Sequence, residues 1–360
     1  MSARPSVPAR RAGRHALPPA WRRGMSLVEL MVSVLIGLFL LAVMGSVYLG
    51  SRSTYTAQDS VSRLQENGRF AIDTLARDLR MSGFRGCMGQ VRATPLTNTL
   101  NTPTALLYNF AEPVWGSRNG GGGWSPALQS PVSGMSPSPN GDVLVVRRPT
   151  GIGWSLTSQM LANSAALAVT ATPNIAKGDL LLAADCNGAV VLQATNDSPG
   201  LLGSVEHTAG APGVSPGVSS ADLGRTLAHD AALWRLQTVA YYLATSVRRP
   251  SQVALWSYAY PSYDGSANTV ELVTGVERMA VIYGIDTNGD FAADTFKPAN
   301  LVTDWTQVVS ARVDLLLSGN ADNTVTKALP YVWGDLTVTP TDKKLRTTLS
   351  VAVSLRNAVP

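Results

Sequence analysis

An uncharged stretch of 21 residues, from Leu30 to Gly50, places the strongest constraint on how this chain can fold. Between Met25 and Gly50 the one charged residue is Glu29. A helix needs about 20 consecutive apolar residues to cross a bilayer, and it satisfies its backbone hydrogen bonds without help from water. The sequence therefore predicts a membrane-spanning helix near the N-terminus.

The distribution of charge predicts the orientation of this helix. Residues 1–24 contain six arginines and no acidic residue, whereas the rest of the chain has 23 basic and 24 acidic residues. Basic flanks stay on the cytoplasmic side of a membrane, so we expect residues 1–24 in the cytoplasm and the body of the protein exported. Because the body is nearly neutral, no direct nucleic-acid site is inferred.

A cleaved secretory signal peptide and a plain signal anchor are two alternative interpretations of the apolar stretch. The stretch is longer than the 7–15 apolar residues typical of a signal peptide, and only weak cleavage signals follow it, at Gly45-Ser46 and Gly50-Ser51. A signal anchor is the stronger alternative, and the residues at the junction decide against it.

The junction Arg22-Arg23-Gly24-Met25-Ser26-Leu27-Val28-Glu29-Leu30 resembles the processing site of type IV pilin-like proteins. The resemblance implies that a prepilin peptidase cuts after Gly24 and methylates Met25, which stands where phenylalanine is usual. It also implies that Glu29 pairs with an N-terminal amine in the filament. Independently, an unpaired carboxylate in a membrane helix costs at least a few kcal/mol, so Glu29 should have a partner.

Helical spacing continues beyond the uncharged stretch. Apolar or small residues recur every three or four positions at Val61, Leu64, Gly68, Ile72, Leu75 and Leu79. We therefore expect one helix from about Met25 to Ser82, ending before Gly83 and Gly86, with this stripe packed against the exported body. The neighbouring pair Arg77 and Asp78 is interpreted either as a solvated charged face or as a subunit contact.

Three further segments resemble the PilW family of minor pilins. They run from Leu64 to Cys87, from Tyr283 to Asp290 with Trp305 downstream, and from Leu345 to Asn357. The resemblance covers both ends of the chain, whereas residues 90–270 largely lack a segment that resembles the family.

The exported body reads as a β-rich domain. Runs of β-type residues predict strands at Asp142–Arg147, Asp179–Asp185, Ala189–Ala194, Leu233–Thr245, Val253–Tyr258, Val276–Ile285, Val308–Leu317 and Arg346–Leu355. Asn187-Gly188 predicts a hairpin turn. Residues 116–141 hold 17 Gly, Ser or Pro among 26, and residues 196–222 hold 13 among 27, so both are expected to be surface loops.

The expected fold class is α+β and pilin-like, a long helix packed on an antiparallel sheet. The predicted organisation is a removed basic leader (1–24), a transmembrane and filament-core helix (25–50), the amphipathic half of the same helix (51–82) and the exported domain (83–360).

The two cysteines, Cys87 and Cys186, have no neighbouring cysteine with which to form a metal or redox motif. Because the exported side is oxidising, we expect them to form a disulfide. Two unpaired buried thiols are the alternative.

Asp286, Asn288, Asp290 and Asp294 fall at positions 1, 3, 5 and 9 of a calcium-loop spacing. Phe291 occupies the place of the usual glycine, and Lys297 that of the twelfth-position glutamate. We expect weak calcium binding or a plain acidic turn, and no other cofactor.

No catalytic constellation is evident, and the chain is predicted not to be an enzyme. Gly213-Val214-Ser215-Pro216-Gly217 has the nucleophile pattern GxSxG, but Pro216 lacks the N–H that an oxyanion hole requires there.

The function expected from the resemblance is that of a type IV pilus minor pilin in a tip or initiation complex, supporting twitching motility, adhesion or DNA uptake. Its expected partners are the prepilin peptidase, other minor pilins and the major pilin, first in the inner membrane and then in the pilus. The alternatives are a type II secretion pseudopilin, a membrane-anchored adhesin or binding protein and, least favoured, an anchored enzyme.

Overall fold

The structure is a computed structural model, and it describes residues 24–86, 96–172, 174–263, 268–319, 325 and 327–357. Contacts divide the chain into two compact units, one ending at Tyr55 and one beginning at Thr56. The described part of the first unit is helical from Leu27 onward, and the second unit contains the hydrophobic core.

The long helix α1 runs without interruption through Leu27–Met81, 55 residues. It ends where the sequence predicts, because Gly83 adopts a left-handed backbone with φ 69° that favours glycine. Within the second unit the helix buries Leu64, Gly68, Ala71, Leu75 and Leu79. The predicted stripe is thereby confirmed except at two positions, since Ile72 is only partly buried and Val61, its first residue, is 40% exposed.

Where it is described, the body following α1 is built mainly of strands, with one further short α-helix, α2 (Pro199–Leu202), and three 3-10 helices at Val132–Met135, Ala299–Leu301 and Trp305–Gln307. The strands within the described residues are β1 (Leu96–Asn98), β2 (Val114–Asn119), β3 (Trp124–Ser125), β4 (Val143–Ser155), β5 (Leu167–Ala168), β6 (Leu180–Asp185), β7 (Gly188–Gln193), β8 (Ser204–Val205), β9 (Ala232–Thr245), β10 (Val253–Tyr260), β11 (Thr269–Thr274), β12 (Val276–Ile285), β13 (Thr295–Pro298), β14 (Val308–Ser318), β15 (Tyr331–Trp333), β16 (Leu336–Val338) and β17 (Arg346–Ser354). All eight predicted strands are present.

The strands form two principal sheets where one was expected. The larger has the order β1-β7-β6-β9-β4-β2-β3. In addition, β10 pairs with β9, and β11 pairs with β10. Its pairings are antiparallel apart from β1 with β7. The smaller sheet has the antiparallel order β13-β12-β14-β17. One core cluster joins the C-terminal half of α1 to both sheets.

The predicted hairpin between β6 and β7 is present, but its turn lies one residue earlier than expected. Asp185 pairs with Gly188, so the two loop residues are Cys186 and Asn187. The Asp185 carboxylate accepts hydrogen bonds from the backbone N–H of Asn187 and of Gly188, at 2.8 and 3.0 Å. This side-chain cap stabilises the turn in its observed register.

The segments rich in Gly, Ser and Pro contain more packed structure than expected. Residues 116–119 belong to β2, where Gly116 lies so close to the Tyr283 ring that a side chain would collide with it. Farther along, Val132 is fully buried. Residues 196–222 include α2 and β8. At Gly116 and Gly200 glycine is needed because neighbouring groups approach the backbone closely.

Candidate assembly and processing site

The first turn of α1 begins directly after the predicted cleavage point. Gly24, Met25 and Ser26 precede the helix and are exposed. The Ser26 hydroxyl accepts a hydrogen bond from the backbone N–H of Glu29 at 3.2 Å, and the Ser26 carbonyl accepts from the N–H of Leu30 at 3.1 Å. Ser26 is therefore the N-cap of α1. The pattern Ser26-x-x-Glu29 is a capping-box signal, and it would have placed the helix start from sequence alone.

Glu29 lies in the first turn of this helix, and its side chain is exposed. A carboxylate at a helix N-terminus interacts favourably with the helix dipole. The carbonyl of Glu29 accepts a hydrogen bond from the Ser33 hydroxyl at 2.7 Å, which leaves the carboxylate outside that contact. The geometry places an accessible negative charge close to the N-terminal end of an apolar helix.

Large apolar side chains cover the first half of α1, and they are exposed. Leu35, Phe39 and Leu41 are 69%, 66% and 66% exposed, and every residue from 24 to 56 except Gly37 is exposed. Such a continuous apolar surface marks a membrane or protein contact. In the part of the chain that the structure covers, α1 is the single helix long and apolar enough to cross a membrane. The first half of α1 thus indicates a membrane anchor.

The second half of α1 is bound to the body by close packing. Gly68 lies beneath Leu349 of β17, so near that an added Cβ atom would collide with the leucine side chain. Leu75 and Leu79 are fully buried in the core shared with both sheets. At the end of the helix the Asn357 side chain donates a hydrogen bond to the Ser82 carbonyl at 2.9 Å.

For Asp78, the structure corrects the interpretation as a solvated charged face or a subunit contact, whereas Arg77 is exposed and both interpretations stay open for it. Asp78 is 6% exposed and points into the body of its own chain. Its carboxylate accepts a hydrogen bond from the Tyr241 hydroxyl at 2.6 Å and lies 2.8 Å from Nε of Arg148. Burial, together with the adjacent Asp78 carboxylate, raises the pKa of Tyr241 well above its ordinary value, so this hydroxyl stays protonated and donates. Helical periodicity could not identify partners that come from β4 and β9.

Of the two cysteines, Cys186 lies in the exposed turn between β6 and β7, and Cys87 lies outside the described residues. Their pairing therefore stays a prediction. The residue before Cys87 is informative, because a Cβ atom on Gly86 would lie 2.8 Å from Cβ of Ala184 and 3.8 Å from the carbonyl oxygen of Asp185. The chain thus reaches residue 86 directly beside the hairpin that carries Cys186.

The acidic turn brings together all four predicted calcium ligands and engages them in hydrogen bonds. Asp286 is fully buried and accepts from the N–H groups of Gly289 and Phe291 at 2.7 and 3.1 Å. Asp294 accepts from the backbone and hydroxyl of Thr287, which lower the pKa of Asp294.

The two remaining ligands of that set also bond within the turn. The Asn288 amide donates to Asp290 and to Asp294, at 3.1 Å each. Across the described residues, no group of three or more His, Cys, Asp or Glu side chains could hold a metal ion. Weak calcium binding or none stays the prediction for this turn.

Comparison with known proteins bears on the C-terminal third of the chain. Residues 240–357 match the family model PilW, described as type IV pilus-assembly protein W. No curated protein sequence matches the chain. Among solved structures it is similar to a type IV-like pilin from Thermus thermophilus, with 13% identity and a TM-score of 0.33 over 83% of this chain and 99% of that one.

The matched segment contains two of the three stretches that carried the resemblance, the acidic turn with its flanking strands and the closing strand β17. The stretch from Leu64 to Cys87 precedes it. This match confirms the resemblance to the PilW family over residues 240–357, and it supports a type IV pilus-related pilin.

Proposed function

We propose that this protein is a minor pilin of the type IV pilus, incorporated through α1 into a tip or initiation complex. It is inserted in the inner membrane with residues 1–24 in the cytoplasm and its body in the periplasm. A prepilin peptidase then removes the leader after Gly24. Assembly with other minor pilins and the major pilin supports twitching motility, adhesion or DNA uptake.

The observation that carries this proposal is the division of α1 into two halves of opposite character. One continuous helix has an exposed apolar half and a half whose stripe is buried in the body. An exposed apolar helix is stable in a bilayer or among other apolar helices. A subunit built this way can leave the membrane for a helical filament core without refolding its body.

Glu29 supplies the electrostatic part of the proposal. After cleavage, the ammonium group of Met25 lies four residues before Glu29, at the start of the same helix. In an assembled bundle the Glu29 carboxylate pairs with such an ammonium, from a neighbouring subunit. The attraction between the two charges offsets part of the desolvation penalty that each charge would have alone.

The processing step is tested by sequencing the N-terminus of the protein extracted from membranes. We expect the sequence to begin at an N-methylated Met25. An N-terminus after Gly45 or Gly50 would instead identify a cleaved signal sequence and overturn the pilin proposal.

The assembly step is tested with Glu29→Ala. Cleavage should remain largely intact, while the amount of the protein in sheared pili should fall strongly, because removal of one member of a buried pair costs about 3–5 kcal/mol. Glu66→Ala is the matched control, since Glu66 is an exposed carboxylate on the same helix. Normal incorporation of the Glu29 variant would exclude this role.

A further inference from the structure

A cleft lies over the face of the smaller sheet that carries Arg278, Arg312 and Ser350, and it has no part in the function proposed above. It measures about 730 Å³ and is lined by residues of β12, β14, β17 and the β15–β16 hairpin. Small-molecule sites typically occupy about 300–1,000 Å³ and combine apolar walls with a few placed polar groups. The cleft therefore has the size of a ligand site.

One arginine outside the cleft lining connects β17, β12 and the start of the β15–β16 hairpin. Arg346 at the start of β17 contacts the Glu277 carboxylate through Nε at 2.7 Å and the Asp342 carboxylate through Nη1 at 2.6 Å. Its guanidinium also lies 5.6 Å from the centre of the Tyr331 ring, at the base of the β15–β16 hairpin. Charge-assisted arginine–carboxylate contacts of this kind fix geometry, so they hold β17 against β12 beside the hairpin that lines the cleft.

Two ion pairs along the cleft are satisfied internally. Arg118 binds Asp142 through two nitrogens, at 2.9 and 2.6 Å, and Asp142 also accepts from the N–H of Val281 at 2.7 Å. The two oxygens of Asp314 accept separately from the Ser350 hydroxyl, at 2.5 Å, and from Nε of Arg312, at 3.2 Å. These carboxylates therefore have donors already.

Positive charge with free donors remains in the cleft. Arg278 forms no hydrogen bond or ion pair within the described part of the chain, and Arg312 uses only Nε. Opposite them the hairpin presents the Trp333 ring and the exposed carboxylate of Asp335. The lining thus combines guanidinium donors, a flat aromatic surface and one free acceptor.

We propose that this cleft binds a carboxylate-bearing sugar, such as a short uronic acid oligosaccharide. Guanidinium groups bind carboxylates through two parallel hydrogen bonds, which assigns one acid group of the oligosaccharide to Arg278 and another to Arg312, four positions apart in the register of β12 and β14. Trp333 packs against the apolar face of a sugar ring, and Asp335 accepts hydrogen bonds from ring hydroxyls.

The test is calorimetric titration of the full-length protein in detergent micelles with trigalacturonate. Galactotriose and inorganic phosphate serve as the comparison ligands. Trigalacturonate should bind, the neutral trisaccharide at least about tenfold more weakly, because it lacks the charge-assisted bonds, and phosphate not measurably. Equal binding of galactotriose, binding of phosphate alone, or no binding of trigalacturonate at millimolar concentration would overturn the proposal.

Variants locate the site. Arg278→Gln and Arg312→Gln should each weaken trigalacturonate binding at least about tenfold, and Trp333→Ala should weaken it more than Trp333→Phe. Arg248→Gln, at an exposed arginine that does not line the cleft, is the control and should bind normally. Unfolding temperatures establish that each variant is folded. Unchanged affinity in both folded arginine variants would contradict the assignment.

Discussion

Tyr241 and Tyr283 are both buried to within 2% of their surface, but only one of their hydroxyl groups has a partner. Tyr241 donates to Asp78, which also contacts Arg148. The Tyr283 hydroxyl has no hydrogen-bond partner in the described structure, although burial raises its pKa well above the ordinary value and keeps it protonated. A buried hydroxyl without a partner costs free energy, whereas a bond to a buried carboxylate stabilises the fold.

Substitution by phenylalanine should therefore affect the free energy of unfolding differently at the two tyrosines. Tyr283→Phe should leave the free energy of unfolding unchanged or raise it, because an unsatisfied polar atom is removed. Tyr241→Phe should lower it by about 1.5–3 kcal/mol, because Asp78 loses a donor. Urea unfolding followed by tryptophan fluorescence compares the two proteins, and an equal loss in both would contradict this account.

At the scale of elements, the contact between α1 and β17 depends on Gly68. Glycine within a helix costs about 1 kcal/mol relative to alanine, so its presence needs a packing reason. That reason is the Leu349 side chain, which occupies the space where a Cβ atom of residue 68 would lie. The helix and the closing strand approach one another more closely there than a larger residue allows.

Graded substitutions at Gly68 test this contact. Gly68→Ala should be nearly neutral, since the gain in helix propensity offsets the movement of the flexible end of Leu349. Gly68→Val should lower the free energy of unfolding by about 1–3 kcal/mol through overpacking. The comparison uses urea unfolding, and a valine variant as stable as the alanine variant would show that the interface yields freely.

The ion pairs of Arg346 with Glu277 and Asp342 predict how acid affects the stability of the fold. The bond from Arg346 lowers the pKa of Asp342 to about 2 in the folded protein, against about 3.9 in an unfolded chain. Below pH 4 the unfolded state therefore binds more protons than the folded state. The contribution of Asp342 is complete above about pH 4 and is lost as the pH falls towards 2.

Asp342→Asn should reduce the loss of stability between pH 4 and pH 2, measured as the unfolding temperature across that range. Part of the slope should remain, because the pKa of Asp294 is lowered as well. Asp335→Asn, on the exposed turn of the hairpin, is the control. If the unfolding temperature of Asp342→Asn fell with pH as steeply as that of the unmodified protein, the Arg346–Asp342 ion pair would not be coupled to folding.

At the scale of the whole molecule, a disulfide between Cys87 and Cys186 would join the segment after α1 to the β6–β7 hairpin. Gly86 already lies against Ala184, so the bond needs little additional ordering of the chain. Closing a loop of about 100 residues stabilises a fold by roughly 4–5 kcal/mol in the chain-entropy model.

Thiol labelling of the unfolded, unreduced protein should find no free cysteine, and reduction should release two. Cys186→Ser should lower the unfolding temperature of the oxidised protein and leave that of the reduced protein nearly unchanged. Two free thiols before reduction would refute the pairing.

What the sequence determined by itself was local. An uncharged run, a stripe at helical spacing and short β-type runs predicted α1 and eight strands, because side-chain periodicity reports which face of an element is buried. The N-cap at Ser26 was also readable from Ser26-x-x-Glu29.

Only the tertiary structure decided which distant residues meet. The burial of Asp78 depends on Tyr241, 163 positions away, and the place of Gly116 depends on the Tyr283 ring. The division into two sheets and the cleft carrying Arg278 follow from how strands pair across the chain. No periodicity encodes these contacts, because they are selected by shape and charge after the elements have formed.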